Sequence, residues 1–340
     1  MLDDLLAPAT LPFQELEQAV WKKDLCAGCR GCIAVCPANS LAYDAKAARP
    51  YQITPCIDCR ACLEACPRAN MEKLPSDVLG PYIEMKSAKA KAANGRYQNG
   101  GAVTALLKAA LQEELVDCAV VMGMDRWDHN AYPLVIKDVE GLERAAGSKY
   151  TSNGILEAMK GVIRDESARS VALVGTPCAV QAIGLMRKSS NEYAERLARK
   201  VRFLIGLFCF ESFDGTLIME ISRRLGVPPW RIAGMNAGRG KLAVTFRNGE
   251  TKALPLSGLK SLVRPGCFRC DDFTARLADV SVGSVGSLQG SSAVIVRTPE
   301  GAGLFEIAME SGLIEETGGV DVAEIEKVGR LKLNKNGFLQ

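Results

Sequence analysis

The sequence predicts a small cysteine-built module followed by a larger α/β domain with a mixed sheet. Three observations predict it. Two cysteine-rich runs crowd residues 26–67; from Asn99 onward helical and strand patterns alternate; and a clear hairpin interrupts that alternation. At 340 residues the chain suits a small unit plus one larger core. The module is placed at residues 1–75, a linker at 76–97 and the larger domain at 98–340.

Residues 1–25 hold one amphipathic stretch, PFQELEQAVW, read as a short helix leading into the first run. The runs are CAGCRGCIAVCP and CIDCRACLEACP, each C-x2-C-x2-C-x3-C-P. They agree at six of twelve positions at an offset of thirty, which marks an internal duplication. This is the spacing of a bacterial-type ferredoxin with two 4Fe–4S cubes, whose fourth cysteine crosses to the other cluster. One cube would use Cys26, Cys29, Cys32 and Cys66, the other Cys56, Cys59, Cys62 and Cys36. A zinc ribbon or disulfide framework is the alternative, but structural zinc takes four ligands and does not need this pattern twice. So short a module cannot fold by apolar burial alone, and the clusters would serve as its core.

In the linker, Lys86, Lys89, Lys91 and Arg96 have no acidic residue among them. The reading is a solvated tether, with a basic rim for a phosphate or an acidic electron-transfer partner as the sharper alternative. Beyond it, NGG opens a helix over AVTALLKAALQEEL, and VDCAVVMGM is a buried strand with Cys118 as a core thiol. PLVIKD is a strand, and GSKYTSNGILEAMKGVI a helix capped by Ser152 or Asn153. VALVGTPC is a strand running into the helix AVQAIGLMRK, and VRFLIGLFC a strand before the helix GTLIMEISRRLG. KLAVTFRNGETKALPL is a hairpin turning at Asn248-Gly249, and it is the reason for expecting a mixed sheet. ADVSVGSVG and SAVIVRT are strands, GLFEIAMESG and VAEIEKV helices, and a basic tail follows.

Composition narrows the chemistry. The net charge of +3 implies no nucleic-acid partner. The acidic start MLDDLLAPATLPFQ does not read as a signal peptide, and FLIGLFCF is too short to span a bilayer. Thiol-ligated clusters belong in a reducing compartment, so a cytoplasmic location is expected, with membrane contact only through partner subunits. His129 is the sole histidine, which excludes His-rich metal sites and metalloprotease motifs and disfavours Ser-His-Asp chemistry. A packing or surface role is expected for it, with pH sensing as the alternative. No catalytic side chain is assigned; the chemistry must sit in cofactors.

Four further cysteines form a second constellation. Cys178 ends GTPC and opens a helix, Cys209 ends a strand, and Cys267 and Cys270 form PGCFRCDD. Three of the four sit where a strand gives way to a loop or helix, where α/β sheets present functional groups. A third 4Fe–4S cluster, a zinc site on all four, or a redox disulfide between Cys267 and Cys270 each account for them.

NGGAVTALL, GSKYTSN, GTPCAVQA, GLFCFES and PGCFRCDDFTARLADVSVGSVG, in this order, resemble the family of coenzyme F420 hydrogenase/dehydrogenase beta subunits over about residues 80–290. With the cluster module ahead, the layout resembles that of F420H2 dehydrogenase subunits and of the N-terminal half of F420-dependent sulfite reductase, although no siroheme-reductase half is present. The resemblance implies FAD in the larger domain, a 4Fe–4S cluster on Cys178, Cys209, Cys267 and Cys270, and hydride exchange with the deazaflavin coenzyme F420. It implies partner subunits of an electron-transfer complex, membrane-attached only through them. The direction of flow stays open: F420H2 oxidation is expected, with F420 reduction beside a hydrogenase or formate dehydrogenase as the alternative. A flavin-free wiring subunit is the reading from another class.

A flavin between hydride and cubes makes chemical sense, since a pair of electrons must be taken up and released singly. Its phosphates have no standard site here. Gly301-Ala-Gly303 lacks a third glycine, and GMNAGRGKL fails the P-loop spacing. The candidates are Asn99, Gly100 and Gly101 with Thr104 in the following helix, then Ser148, Lys149 and Tyr150, then Thr176, and lastly Ser281 with Gly283. Each is otherwise a helix cap or turn.

Overall fold

The computed structural model describes residues 10–91, 97–151 and 154–338. The chain opens with one helical segment, Pro12–Leu16, extended by a wider π turn over Glu17–Trp21. Two short helices follow, Gly31–Ala34 and Ala61–Glu64, one for each cysteine run. Between the runs lies a hairpin that local patterning did not announce, β1 (Leu41–Asp44) paired antiparallel with β2 (Arg49–Gln52).

The larger sheet has eight strands. In chain order they are β3 (Glu84–Ala90), β4 (Cys118–Met124), β5 (Ala131–Ile136), β6 (Val171–Gly175) and β7 (Val201–Leu207). After three strands that belong elsewhere, β8 (Ile232–Gly238), β9 (Lys241–Phe246) and β10 (Thr251–Pro255), come β11 (Val280–Gly283), β12 (Ser292–Val296) and β13 (Ile314–Gly318). The spatial order is β13-β3-β12-β11-β7-β6-β4-β5. The four central strands β11, β7, β6 and β4 run parallel. Antiparallel strands flank them, β5 on one side and β12, β3 and β13 on the other.

Alternation along these strands feeds two apolar layers. Leu106, Phe203, Ile205, Val280 and Leu304 fill the layer under helices Ala102–Gln112, Val139–Ala145 and Pro299–Glu310. Leu173, Leu204, Ile183, Met186 and Leu197 fill the opposite layer, beneath helices Met159–Arg164, Pro177–Arg187 and Glu192–Lys200.

Three expectations are corrected here. Residues 84–90, read as linker, are a strand of the sheet, between β12 and the edge strand β13. Lys86 bonds Glu316 at 2.7 Å and lies 3.4 Å from Glu84, while Lys89 lies 3.1 Å from Glu315. Two of the four cations of the alternative basic rim, Lys86 and Lys89, are therefore paired; Arg96 lies outside the described residues, as do the caps Ser152 and Asn153. The hairpin turns at Gly249, with φ 87°, as expected. It joins β8 in a separate three-stranded sheet, however, and the large sheet is mixed for other reasons.

The third correction concerns independence. The module has a small core of its own around Phe13, Leu16, Trp21 and Ile33. Yet Ala34, Val35, Ala61 and Ala65 are buried in the same layer as Leu173 and Ile183 of the larger domain, and a Cβ on Gly31 would stand 3.2 Å from that of Ala182. The alanines and the glycine let the two backbones approach; module and domain share a core.

Candidate functional site

The duplication is visible in the backbone. Arg30 and Arg60 occupy equivalent places before the two short helices and share a left-handed conformation, φ 60° and 61°. That turn bends each C-x2-C-x2-C run into a loop whose sulfurs face inward. Backbone amides reach these sulfurs in matching positions, Gly31 to Cys29 and Ala61 to Cys59. Ser40 adds a donor to Cys36 at 3.3 Å, the type of contact that favours the charged thiolate.

Two cavities lie in the module. One is lined by Cys36, Cys56, Cys59 and Cys62 among Phe13, Leu41 and Ile57. The other is lined by Cys26, Cys29, Cys32 and Cys66 among Val20, Trp21 and Tyr43. The fourth cysteine of each run has crossed to the other set. Neither wall holds a carboxylate. The donor set is that of an iron–sulfur cube with thiolates in an apolar shell.

Burial pushes the Cys62 thiol up to about 12 and the Cys66 thiol up to about 11. A cluster bound there would supply the positive charge that favours the thiolate form.

The remaining four cysteines gather at the carboxyl ends of the parallel strands, the expected edge of an α/β sheet. Cys178 follows β6 in the first turn of helix Pro177–Arg187, with its sulfur 3.3 Å from the Thr176 hydroxyl. Cys209 lies just past β7. Cys267 and Cys270 belong to the 3₁₀ turn Pro265–Arg269 and its end. Cys209 has the other three as electrostatic neighbours, and Cys267 has Cys270 and Cys178. Burial raises the Cys209 and Cys267 thiols, the latter to about 11. At Cys270 burial also acts upward, but Lys332 and Arg68 outweigh it and the net shift is down.

All described cysteines are free thiols. Among the described residues no three His, Cys, Asp or Glu side chains converge as they would on one ion. Cube ligands stand farther apart, each on its own iron. One turn beyond Cys178, the Gln181 amide is buried with no partner for either end, and it suits a site that holds a further group.

The flavin candidates divide. Gln98 donates to the Tyr150 hydroxyl at 3.2 Å and to Asn236 at 3.1 Å, and accepts from the Ser148 amide at 2.9 Å. It thereby joins the Asn99–Gly101 loop to the Ser148–Tyr150 loop and to β8. Helix Ala102–Gln112 starts at Gly101 with no side-chain cap, leaving first-turn amides open to an anion. Asn99 and Ser148 are exposed, and Thr104 and Thr176 half-buried. Lys149 donates to the carbonyls of Ala145, Ala146 and Gly147, and burial brings it down to about 8.

Gly100 and Ser281 have other duties. A Cβ on Gly100 would run into the backbone of Ala88 and Ser292, so its glycine serves close packing on β3 and β12. Ser281 is fully buried; its hydroxyl donates to the Ala275 carbonyl and accepts from Arg297 at 2.7 Å. Gly283 is closed off by the Phe208 ring. Neither Ser281 nor Gly283 presents a free face.

Residues 168–321 match the model for the C terminus of the coenzyme F420 hydrogenase/dehydrogenase beta subunit, and residues 85–160 match that for its N-terminal part. Residues 19–67 match a 4Fe-4S dicluster domain. The coenzyme F420 hydrogenase subunit beta of Methanothermobacter thermautotrophicus is 34% identical over 70% of this chain and 85% of its own length. This chain belongs to the family of coenzyme F420 hydrogenase/dehydrogenase beta subunits.

Two further likenesses bear on layout. An F(420)H(2) dehydrogenase subunit of Methanosarcina mazei is 29% identical over 87% of this chain and 86% of its own length. A chain of the F420-reducing [NiFe] hydrogenase complex from Methanosarcina barkeri superposes with a TM-score of 0.71 at 28% identity, covering 76% of this chain and 91% of that one. Among the described residues no helix is long and apolar enough to cross a membrane.

Within this fold, the sequence reading missed the groups that brace the cysteine sets. Lys332, fully enclosed on helix Val322–Lys335, donates to the carbonyls of Cys209 at 2.7 Å and Asp272 at 2.6 Å. Asn336 donates to the carbonyls of Cys267 at 2.9 Å and Cys270 at 2.7 Å. Arg264 ties the third set to the module through Tyr43 at 2.7 Å and the carbonyl of Ala48 at 3.0 Å. The buried position of His129 fits the expected packing role. It sits at φ 58°, pushed down to about 4 by burial and then by Arg247 and Lys149.

Proposed function

We propose that this protein is the F420H2-oxidising iron–sulfur flavoprotein subunit of a larger electron-transfer complex. FAD in the larger domain would accept hydride from F420H2, and single electrons would leave through three 4Fe–4S clusters to a partner. The observation that carries this reading is the sequence of neighbours among the cysteine sets. Cys178 of the third set is an electrostatic neighbour of Cys26 and Cys29, and Cys32 of that first module set has Cys62 of the second set nearby. The three sites form a chain leading from the carboxyl edge of the sheet to the far end of the module.

The chain's own residues supply position and charge. The open amides after Gly101, with Asn99 and Ser148 beside them, would hold an anionic nucleotide where the first-turn dipole favours it. Cys36, Cys56, Cys59 and Cys62 would hold the outermost cube, next to exposed Ile53 and Ile57, the side chains that a partner would cover. The likeness to the Methanosarcina mazei protein, which spans 87% of this chain, supports F420H2 oxidation over F420 reduction.

Anaerobic purification tests the reading. About twelve iron atoms per chain, a flavin spectrum, and bleaching of that flavin by F420H2 are expected. About eight iron atoms with one zinc would end the three-cluster reading, and absence of flavin would leave a wiring subunit.

A further inference from the structure

Arg68 lies immediately after the second C-x2-C-x2-C-x3-C-P run and belongs to neither cysteine set. It is 8% exposed. Its side chain lines the cavity of Cys26, Cys29, Cys32 and Cys66, and Cys270 of the third set is its foremost charged neighbour. Its backbone amide donates to Cys66. One guanidinium nitrogen faces the Met71 sulfur at 3.4 Å, and Nε is buried with no partner. No carboxylate is among its main electrostatic neighbours, which are Cys270, Cys178 and Cys267. A buried guanidinium without a counter-charge is costly. Its natural compensation is the negative charge of thiolate-ligated clusters on both sides.

We propose that Arg68 is the positioning residue that couples the third cluster to the first module cluster and raises the potential of both. This rests on the three-cluster reading above. The step it serves moves one electron from the reduced cluster on the Cys178 set to the oxidised cluster on the Cys26 set, with no proton moved and no bond made or broken. F420H2 is the reductant upstream. Reduction adds negative charge, and a fixed cation in a low-dielectric contact stabilises the reduced form. The cluster on Cys36, Cys56, Cys59 and Cys62 serves as an internal reference, since the arginine on its rim, Arg60, is exposed and paired with Glu15.

The test is an EPR-monitored redox titration of the purified full chain. In Arg68→Met two of three midpoint potentials are expected to move negative while the third stays; Arg68→Lys, which keeps the charge, should stay near wild type. Should Arg68→Met shed iron while Arg68→Lys retains its full complement, the requirement for the cation is shown by retention. Unchanged potentials at full iron content, or equal iron loss in both variants, would overturn the proposal. Wild-type protein with only two clusters would overturn the three-cluster reading instead, an outcome visible before any variant is made.

Discussion

Gly266 lies directly on the carbonyl of Cys26, leaving no space for a side chain between them. The first belongs to the turn that carries Cys267, and the second is the first cysteine of the module. Arg264 reaches across the same junction to the Cys26 carbonyl at 3.3 Å. The third cysteine set and the first module set are thus locked by backbone contact.

Gly266→Ala should consequently destabilise the protein by about 1–3 kcal/mol, the usual cost of forcing an extra carbon into a closed contact. Gly303→Ala is the control, since nothing stands within 4 Å of a Cβ there and a helix interior favours alanine by up to about 1 kcal/mol. Anaerobic thermal melts of both variants decide it: a lower Tm for the first and an equal or higher one for the second are expected.

Lys332→Met would leave the carbonyls of Cys209 and Asp272 without their donor, at about 1–3 kcal/mol for each buried group. The third cluster should be lost and iron should fall from about twelve to about eight atoms, while the module's EPR signals persist. Full iron and an unaltered melt would show that the clamp is dispensable.

Acid should reveal His129. Its folded-state value of about 4 lies below the ordinary 6.5, so the fold keeps it neutral while the unfolded chain takes up a proton across that interval. Stability is complete above pH 6.5 and falls as pH drops toward 4. Asn tolerates the left-handed backbone, so His129→Asn should keep the fold and remove about 1–2 kcal/mol of this acid sensitivity. Parallel denaturant titrations at pH 7 and pH 4.5 measure the difference.

Cys59→Ser separates hydride uptake from electron exit. The variant should still bleach its flavin with F420H2 in a single turnover, because in the proposed scheme hydride reaches the flavin before the outermost cluster takes part, yet pass no electrons to a native partner. Stopped-flow spectra with and without partner would show both halves. A flavin that stays bound but cannot be reduced even once would place hydride uptake in contact with the module.

The cysteine pattern was legible because its spacing is local. Cys26 to Pro67 announces two loops and a crossing of the fourth ligands, and the two cavities have those walls. β3 was not legible. Its residues EMKSAKA carry three charges, and beside the neighbouring Glu84 the groups that neutralise Lys86 and Lys89 are Glu316 and Glu315, the former 230 residues away. β13, reading IEETG, is equally polar and hides for the same reason. Asn248-Gly249 fixed the hairpin, but turn chemistry says nothing about which sheet receives it. Lys332 and Asn336 looked like part of a basic tail, because burial around a cluster leaves no periodic trace in a charged helix. A glycine at 100 does not by itself mark a nucleotide, because close approach to the chain's own strands demands glycine as firmly as approach to a ligand would.

The alanines at 34, 61 and 65 and the valine at 35 have a bearing on how the chain matures. They close one wall of the core around Leu173 and Ile183, so the first seventy residues leave the ribosome well before the surface they rest on exists. Clusters that serve as the core of those seventy residues would also shape the apolar wall they present to the sheet. Iron starvation would then yield no tidy flavoprotein with an empty appendage. It would yield nascent chains with an uncovered apolar wall, marked for aggregation or degradation, and the cell's iron supply would set the abundance of the whole polypeptide.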